Sequence, residues 1–322
     1  MRIVILGAGA LGSVFAAYLA RAGEDVALIA RGDRARHLAD NGVTITGLED
    51  FTQAVEIVID PATLTKADVL ILSVKTQDTA AALASVRHMD VGSALSVQNG
   101  IKKNAQLAEV FGEDAVLGAI SVIAAAIEAN GAANYVMENH TLVGEPRGGT
   151  SARAEDIVGR LVNAKLVASV PENILSEEWT KYVLWLGVAT MALMPYQATW
   201  KFLSDPGTAR VMARVAREAA LLPTHLGIPL QPEGPLNMKD MVAVNEDGAV
   251  ALVQQTGNMI GENSPSYRPS ILQDVQRGKS IEVEETFGHA VSLAREYGLA
   301  VPTLETCYHM LAAVNRLPHL VG

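Results

Sequence analysis

The chain has 322 residues, more than one hydrophobic core usually organises, so two domains are expected and a small disulfide-stapled scaffold is excluded. Its 25 basic and 35 acidic residues give a net charge of -10, which argues against sequence-independent binding of nucleic acid or anionic lipid and means that any anionic ligand needs a local positive site. A single cysteine, Cys307, permits neither an internal disulfide nor a thiolate metal cage and fits a reducing, cytoplasmic compartment.

In chain order, residues 1–6 form an aliphatic run that predicts a first strand. The uncharged stretch 3–20 behind Arg2 imitates a signal peptide, but Gly7, Gly9 and Gly12 interrupt it at a spacing with another meaning. Leu11, Val14, Phe15, Tyr18 and Leu19 recur at helical spacing, and residues 24–30 return to a strand-like run, which completes a βαβ unit. Further strands are predicted over 67–74, 94–97 and 115–123, with hairpins over 43–59 and 134–143. The alternation predicts an α/β Rossmann domain of six or more strands, its sheet mostly parallel and doubly wound. A Pro-Arg-Gly-Gly-Thr-Ser loop at 146–151 precedes one helix and a short strand over 165–170.

A boundary is expected near 171–176, dividing a Rossmann domain, residues 1–172, from a second domain, residues 173–322. There strand signals nearly vanish, and amphipathic segments over 177–194, 206–226, 245–261, 281–297 and 303–316 predict an all-helical domain. Residues 182–200 are uncharged and approach the length of a membrane span, but Pro195 and Gln197 interrupt them, which suits a buried core helix and no membrane role.

Gly7-Ala8-Gly9-Ala10-Leu11-Gly12 is a G-x-G-x-x-G motif between the first predicted strand and the first predicted helix. In that place glycines permit a tight turn and close approach to a pyrophosphate, and the helix start offers N–H donors. Arg31 lies at the end of the second strand, where a NAD-selective site sets a carboxylate on the ribose 2′-hydroxyl. A guanidinium there pairs instead with a 2′-phosphate, which favours NADP(H). The alternative is a solvated loop charge beside Asp33 and Arg34.

With GAGALG and Arg31, the chain also presents Ser73-Val74-Lys75, Gln98-Asn99-Gly100, Glu178-Trp179-Thr180-Lys181, and Ser270-Ile271-Leu272-Gln273-Asp274 followed by Glu282. In this series and order it resembles the ketopantoate reductase family (2-dehydropantoate 2-reductases). The resemblance implies hydride transfer from NADPH to a small 2-oxo acid, as in ketopantoate to pantoate. Hydride arrival at a carbonyl carbon builds negative charge on oxygen, so a donor must stand there. Lys181, which interrupts the apolar face of a predicted helix, is the candidate acid; the alternative is a lysine snorkelling from a helix end.

The resemblance further implies that Glu282 hydrogen-bonds near the substrate hydroxyl or the cofactor ribose, and that Ser270 binds the substrate carboxylate. Alternatively, Glu282 belongs to an acidic first helical turn with Glu284 and Glu285, and Ser270 is an N-cap. Lys75 and Asn99 end predicted strands, where open α/β sheets hold ligands; they are assigned to cofactor, and Asn99 to substrate as well. Ala124 is a further backbone contact to the cofactor. Trp185 and Ala189, one and two turns past Lys181, line the substrate pocket where the family presents asparagines.

That departure opens an alternative: a reductase or NAD-linked dehydrogenase for a more apolar, branched or aromatic 2-oxo or 2-hydroxy acid. A non-catalytic NADP-binding sensor is a third reading. The seven histidines, His319 among them, show no ligand spacing, and no nucleophile elbow is present, so neither a metal nor acyl transfer is expected. An apolar helical domain leaves room for a homodimer surface.

Overall fold

Strand β1 (Arg2–Leu6) has four consecutive buried residues, as a strand covered on both faces requires. In the computed structural model, which describes residues 1–232 and 236–317, β1 lies at the centre of a five-stranded parallel sheet. Two compact units make up the chain, Met1–Leu175 and Ser176–Gly322.

In the first unit, α1 (Ala10–Arg21), β2 (Asp25–Ile29) and α2 (Gly32–Asn41) lead to three short strands, β3 (Val43–Gly47), β4 (Phe51–Gln53) and β5 (Glu56–Val58). Then follow β6 (Lys66–Leu72), α3 (Thr79–Val86), β7 (Asp90–Ser96) and α4 (Lys102–Phe111). A long hairpin, β8 (Gly118–Ile127) and β9 (Ala133–Gly144), precedes α5 (Ala152–Asn163) and β10 (Ala168–Ser169). The parallel sheet has the order β5-β2-β1-β6-β7, so the chain reverses direction of travel beside β1. The ends of β1 and β6 therefore form the crevice where such sheets bind ligands.

Two expectations about strands are corrected. The stretch 43–59 is not one hairpin: β3 and β4 pair antiparallel in a second sheet, whereas β5 joins the parallel sheet beside β2. Nor is 134–143 a hairpin by itself, because β9 runs unbroken and pairs with β8. The turn is Glu128–Gly131, where Asn130-Gly131 supplies the positive φ (+87° at Gly131) that a tight hairpin needs. The second sheet has the order β10-β9-β3-β4, with β8 off the path on β9.

Helix α1 is buried along its whole middle, from Gly12 to Leu19, because it meets strands of both sheets. Tyr18 packs edge-on against Phe51 at 5.2 Å and Tyr135 at 5.7 Å. Tyr18 and Tyr135 are buried and Phe51 half-buried, so the cluster stabilises the fold by removing apolar surface from water.

Among the described residues the second unit holds helices and turns and no strand. Helix α6 (Ile174–Ala189) ends five residues short of the expected segment, and Thr190–Leu193 make one 3-10 turn before Pro195, whose ring disfavours helical backbone at Met194. The segment 206–226 splits into α7 (Pro206–Ala219), capped by Asp205 through the N–H groups of Gly207 and Thr208 at 3.0 Å, and α8 (Leu221–His225), which contains Pro223. Next come α9 (Glu246–Asn263), capped by Asn245, and α10 (Ser270–Gln276). The expected helix 281–297 begins as a bend and a π-turn (Glu284–Gly288) before α11 (His289–Glu296), and α12 (Pro302–Arg316) follows. No helix among the described residues is long and apolar enough to cross a membrane. His319 lies outside the described residues.

Glu145, just past β9, accepts from Arg153 Nε and Nη2 at 2.7 Å and from Ser151 Oγ at 2.6 Å, which ties the loop to the start of α5. The Arg153 guanidinium first, and the Ser151 hydroxyl after it, hold this carboxyl below its ordinary range against the opposing effect of burial. A carboxylate so depressed stabilises the fold above its unfolded value, and the contribution disappears as pH falls through the folded value. Glu145→Gln should lower stability at neutral pH by about 1–3 kcal/mol. It should also flatten the acid side of the stability curve below about pH 4, as thermal unfolding across that range will read.

Candidate functional site

The glycine motif folds as three positions with three separate demands. Gly7 has φ +119°, and a Cβ there would stand 2.7 Å from Val74 Cγ1 and 2.8 Å from Val74 N. At Gly12 a Cβ would meet the Gly7 carbonyl at 2.0 Å and Ser73 Oγ at 2.5 Å. Gly9, by contrast, has nothing nearer than Ser73 O at 3.9 Å, so its outer side is open. Gly9 flanks the start of α1, whose first turn bears no acidic residue, and Ala8, Ala10 and Leu11 are half-buried beside it. Main-chain donors without a competing carboxylate suit a pyrophosphate.

Beside this loop is a cavity of about 350 Å³ lined by Gly7, Ala8, Arg31, Arg34, Val74 and Asp78, among others. Arg31 is exposed at the N-cap of α2, at the end of β2. Arg34 turns inward: its guanidinium donates to Ala8 O at 3.1 Å, Gly131 O at 2.5 Å and Ser13 Oγ at 2.9 Å. Burial pulls this guanidinium below its ordinary value. Two arginines beside a glycine cradle are the local positive site that a chain of charge -10 needs for an anionic ligand. These residues fit a nicotinamide dinucleotide.

Lys75 and Asn99 follow β6 and β7, and both are half-buried. A buried carboxamide joins their loops: Gln98 Nε2 donates to Val74 O and to Thr79 Oγ1, each at 2.8 Å, while its Oε1 accepts from Ser96 Oγ at 2.9 Å. Lys103, only 3% exposed, donates through Nζ to the carbonyls of Gln98 and Ala119. The peptides that lead into Lys75 and Asn99 are thus both hydrogen-bonded through their carbonyls. Gly100 follows with φ +82°. Ala124 lies in β8, half-buried, between two irregularities of the β8–β9 register, and is not among the cavity residues.

In the second unit Lys181 and Trp185 are half-buried on α6 and Ala189 is fully buried. Trp185 lies against Phe287 with ring centroids 6.3 Å apart. Glu282 is 6% exposed and stands in the bend before the π-turn, so it is not part of a helical first turn; Glu284 and Glu285 are. Ser270 is exposed at the first position of α10, and no side-chain cap bond forms there. Tyr182 connects the two regions, its hydroxyl donating to Thr286 O at 2.7 Å. Among the described residues no three His, Cys, Asp or Glu gather as metal ligands. Burial pushes the Cys307 thiol up to about 11, which removes it as a nucleophile near neutral pH.

The sequence alone assigns no role to Arg34, Ser73, Gln98 or Lys103. Helical spacing sets residue 34 one turn past Arg31 and on the same side, but not the acceptors its guanidinium meets. The others depend on contacts between separate strands.

The family model described as Ketopantoate reductase PanE/ApbA matches residues 3–148, and that described as Ketopantoate reductase PanE/ApbA C terminal matches residues 173–315. A 2-dehydropantoate 2-reductase of Pyrococcus abyssi is 31% identical over 304 residues, covering 94% of each chain. Among solved structures, a PanE/ApbA family ketopantoate reductase from Ralstonia eutropha matches with TM-score 0.82 at 23% identity, covering 98% of this chain and 99% of that one. D-mandelate dehydrogenase with NADH and anilino(oxo)acetate matches with TM-score 0.84 at 18% identity, over 98% and 99%. At these identities the two structures are likenesses of fold.

A methyl group at position 12 cannot coexist with the Gly7 carbonyl, so Gly12→Ala should displace the loop and abolish nucleotide binding, read as loss of NADPH fluorescence enhancement. If Arg31 pairs with a 2′-phosphate, Arg31→Ala should weaken NADPH by about ten- to hundredfold and leave NADH within about twofold. Equal losses for both nucleotides would refute a 2′-phosphate role.

Proposed function

The chain belongs to the ketopantoate reductase family, and from that premise we propose that it reduces a 2-oxo acid to a 2-hydroxy acid with NADPH, ketopantoate to pantoate being the leading substrate pair. The glycine cradle with its two-arginine cavity supports the cofactor half of this reading. The near full-length relative named as a 2-dehydropantoate 2-reductase supports the substrate half. A cytoplasmic setting suits the single buried thiol.

NADPH, when bound, supplies the hydride. Gly7, Gly9 and Gly12 admit its pyrophosphate, Arg31 pairs with the 2′-phosphate, Lys75 offsets anionic charge, Asn99 bonds both cofactor and substrate, and Ala124 gives a main-chain contact. The Lys181 ammonium donates a proton to the carbonyl oxygen as charge develops there, which balances hydride addition at carbon and leaves a neutral lysine to be reprotonated from water. Glu282 orients the hydroxyl and the lysine, and Ser270 receives the carboxylate. Lys181→Met should cost about 10²–10⁴ in kcat while NADPH affinity holds. A non-catalytic sensor would instead bind NADPH and show no turnover in the unsubstituted protein.

The Trp185–Phe287 pair favours a second reading, in which the substrate bears an apolar or aromatic side chain. A pocket without partners for a substrate hydroxyl gains little discrimination from that group. A panel of 2-oxo acids assayed with NADPH separates the two: highest kcat/KM for ketopantoate sinks the aromatic reading. If the aromatic reading holds, Trp185→Asn should shift preference toward ketopantoate.

A further inference from the structure

Glu282 sits in a short bend whose main chain is fixed from both sides. The Asn315 carboxamide, near the end of α12, accepts from Ile281 N and donates to Ile281 O, both at 2.9 Å. The Thr286 hydroxyl donates to Glu282 O. Between them the π-turn closes through Gly288 N to Val283 O at 3.0 Å. Ile281 and Val283, on either side of Glu282, are 2% and 1% exposed, so the bend cannot slide without exposing apolar surface.

The same turn is bonded to the helix that bears Lys181. Tyr182, the next residue along α6, is 1% exposed, and its hydroxyl donates to the Thr286 carbonyl at 2.7 Å. Thr286 therefore has its hydroxyl on Glu282 and its carbonyl on Tyr182. A π-turn is rare and is found often at functional sites, where the extra residue re-aims what precedes it. A phenol hydroxyl in an otherwise apolar interior keeps its place only with a partner, and a main-chain acceptor gives a definite distance.

We infer that Tyr182 and Thr286 are positioning residues that set Glu282 relative to Lys181, acting through the main chain of the π-turn. The inference rests on the reading that Lys181 and Glu282 act on the substrate. Neither residue touches substrate; each determines where a group that does so stands.

The test uses near-isosteric changes: Thr286→Val removes the hydroxyl, Thr286→Ser keeps it, and Tyr182→Phe removes one oxygen. Thr286→Val and Tyr182→Phe should lower kcat by about ten- to hundredfold, with KM for the 2-oxo acid and NADPH affinity within about twofold. Thr286→Ser should restore kcat. Unchanged kcat, with or without a lower Tm, would overturn the inference, as would a Thr286→Ser variant no better than Thr286→Val. Tyr182→Phe keeps the test open should Thr286→Val not fold. Full turnover in Lys181→Met would overturn the underlying reading itself, whereas loss there with unimpaired Thr286→Val and Tyr182→Phe would overturn only the positioning role.

Discussion

The carbonyl of Gly7 lies 2.0 Å from where a Cβ on Gly12 would stand, so helix α1 can start where it does only through contact between main chains. That approach brings the end of β6 against the loop: Ser73 Oγ donates to Gly7 O at 2.8 Å, and Val74 backs Gly7 too closely for any side chain there. It also sets Ala8 O and Ser13 Oγ within reach of one guanidinium, that of Arg34, which bonds the β8–β9 turn at Gly131 as well. Gly131 is packed so tightly on α2 that a Cβ would stand 2.3 Å from the His37 ring. The cradle is therefore held by the parallel sheet on one side and by the second sheet's hairpin on the other.

A second constraint works at the neighbouring strand ends. Burying a lysine as deeply as Lys103 is costly unless its N–H groups are hydrogen-bonded, and the carbonyls it meets belong to Gln98 and Ala119. Gln98 in turn bridges to Val74, so polar groups that would oppose folding if left unbonded instead define the spacing of two loops. Removing the Gln98 carboxamide would release the Val74 carbonyl, the Thr79 hydroxyl and the Ser96 hydroxyl together, more than a single surface contact would. Rigid loops at the switch point of a parallel sheet are what hold half-buried side chains such as Lys75 and Asn99 at defined positions.

What could be read in the residues follows from the range over which each signal acts. The glycine motif, the central strands and Arg31 are local features: spacing, an apolar run and a charge at a strand end suffice. The destination of β5 is not local, since Glu56–Val58 pairs with β2 for reasons that lie in β2's own unfilled edge. The β8–β9 hairpin is not legible although Asn130-Gly131 marks its turn, because the apolar run before it reads equally well as a buried parallel strand. Arg34 looks like one more charge in a helical first turn; only the fold shows that its three acceptors converge. Likewise Glu282, beside Glu284 and Glu285, reads as a helix start, and the π-turn that excludes it from the helix has no distinct periodicity.

The two positions of α6 at which the resemblance implies asparagines, Trp185 and Ala189, do not share an environment, and this bears on how specificity could have changed. Trp185 is half-buried against Phe287, itself part of the π-turn, so exchanging the indole for an amide would remove one ring of a half-buried aromatic pair. Ala189 is fully buried, and an asparagine there would have to fit added volume and find partners for a carboxamide away from water, at a cost of about 1–3 kcal/mol for each unpaired group. A return to the family's amide pattern thus meets little resistance at 185 and considerable resistance at 189, where the backbone and its neighbours would have to move as well. Under the proposed function, substrate preference would accordingly turn on Trp185 and on the π-turn that supplies Phe287, the same turn whose hydrogen bonds hold Glu282.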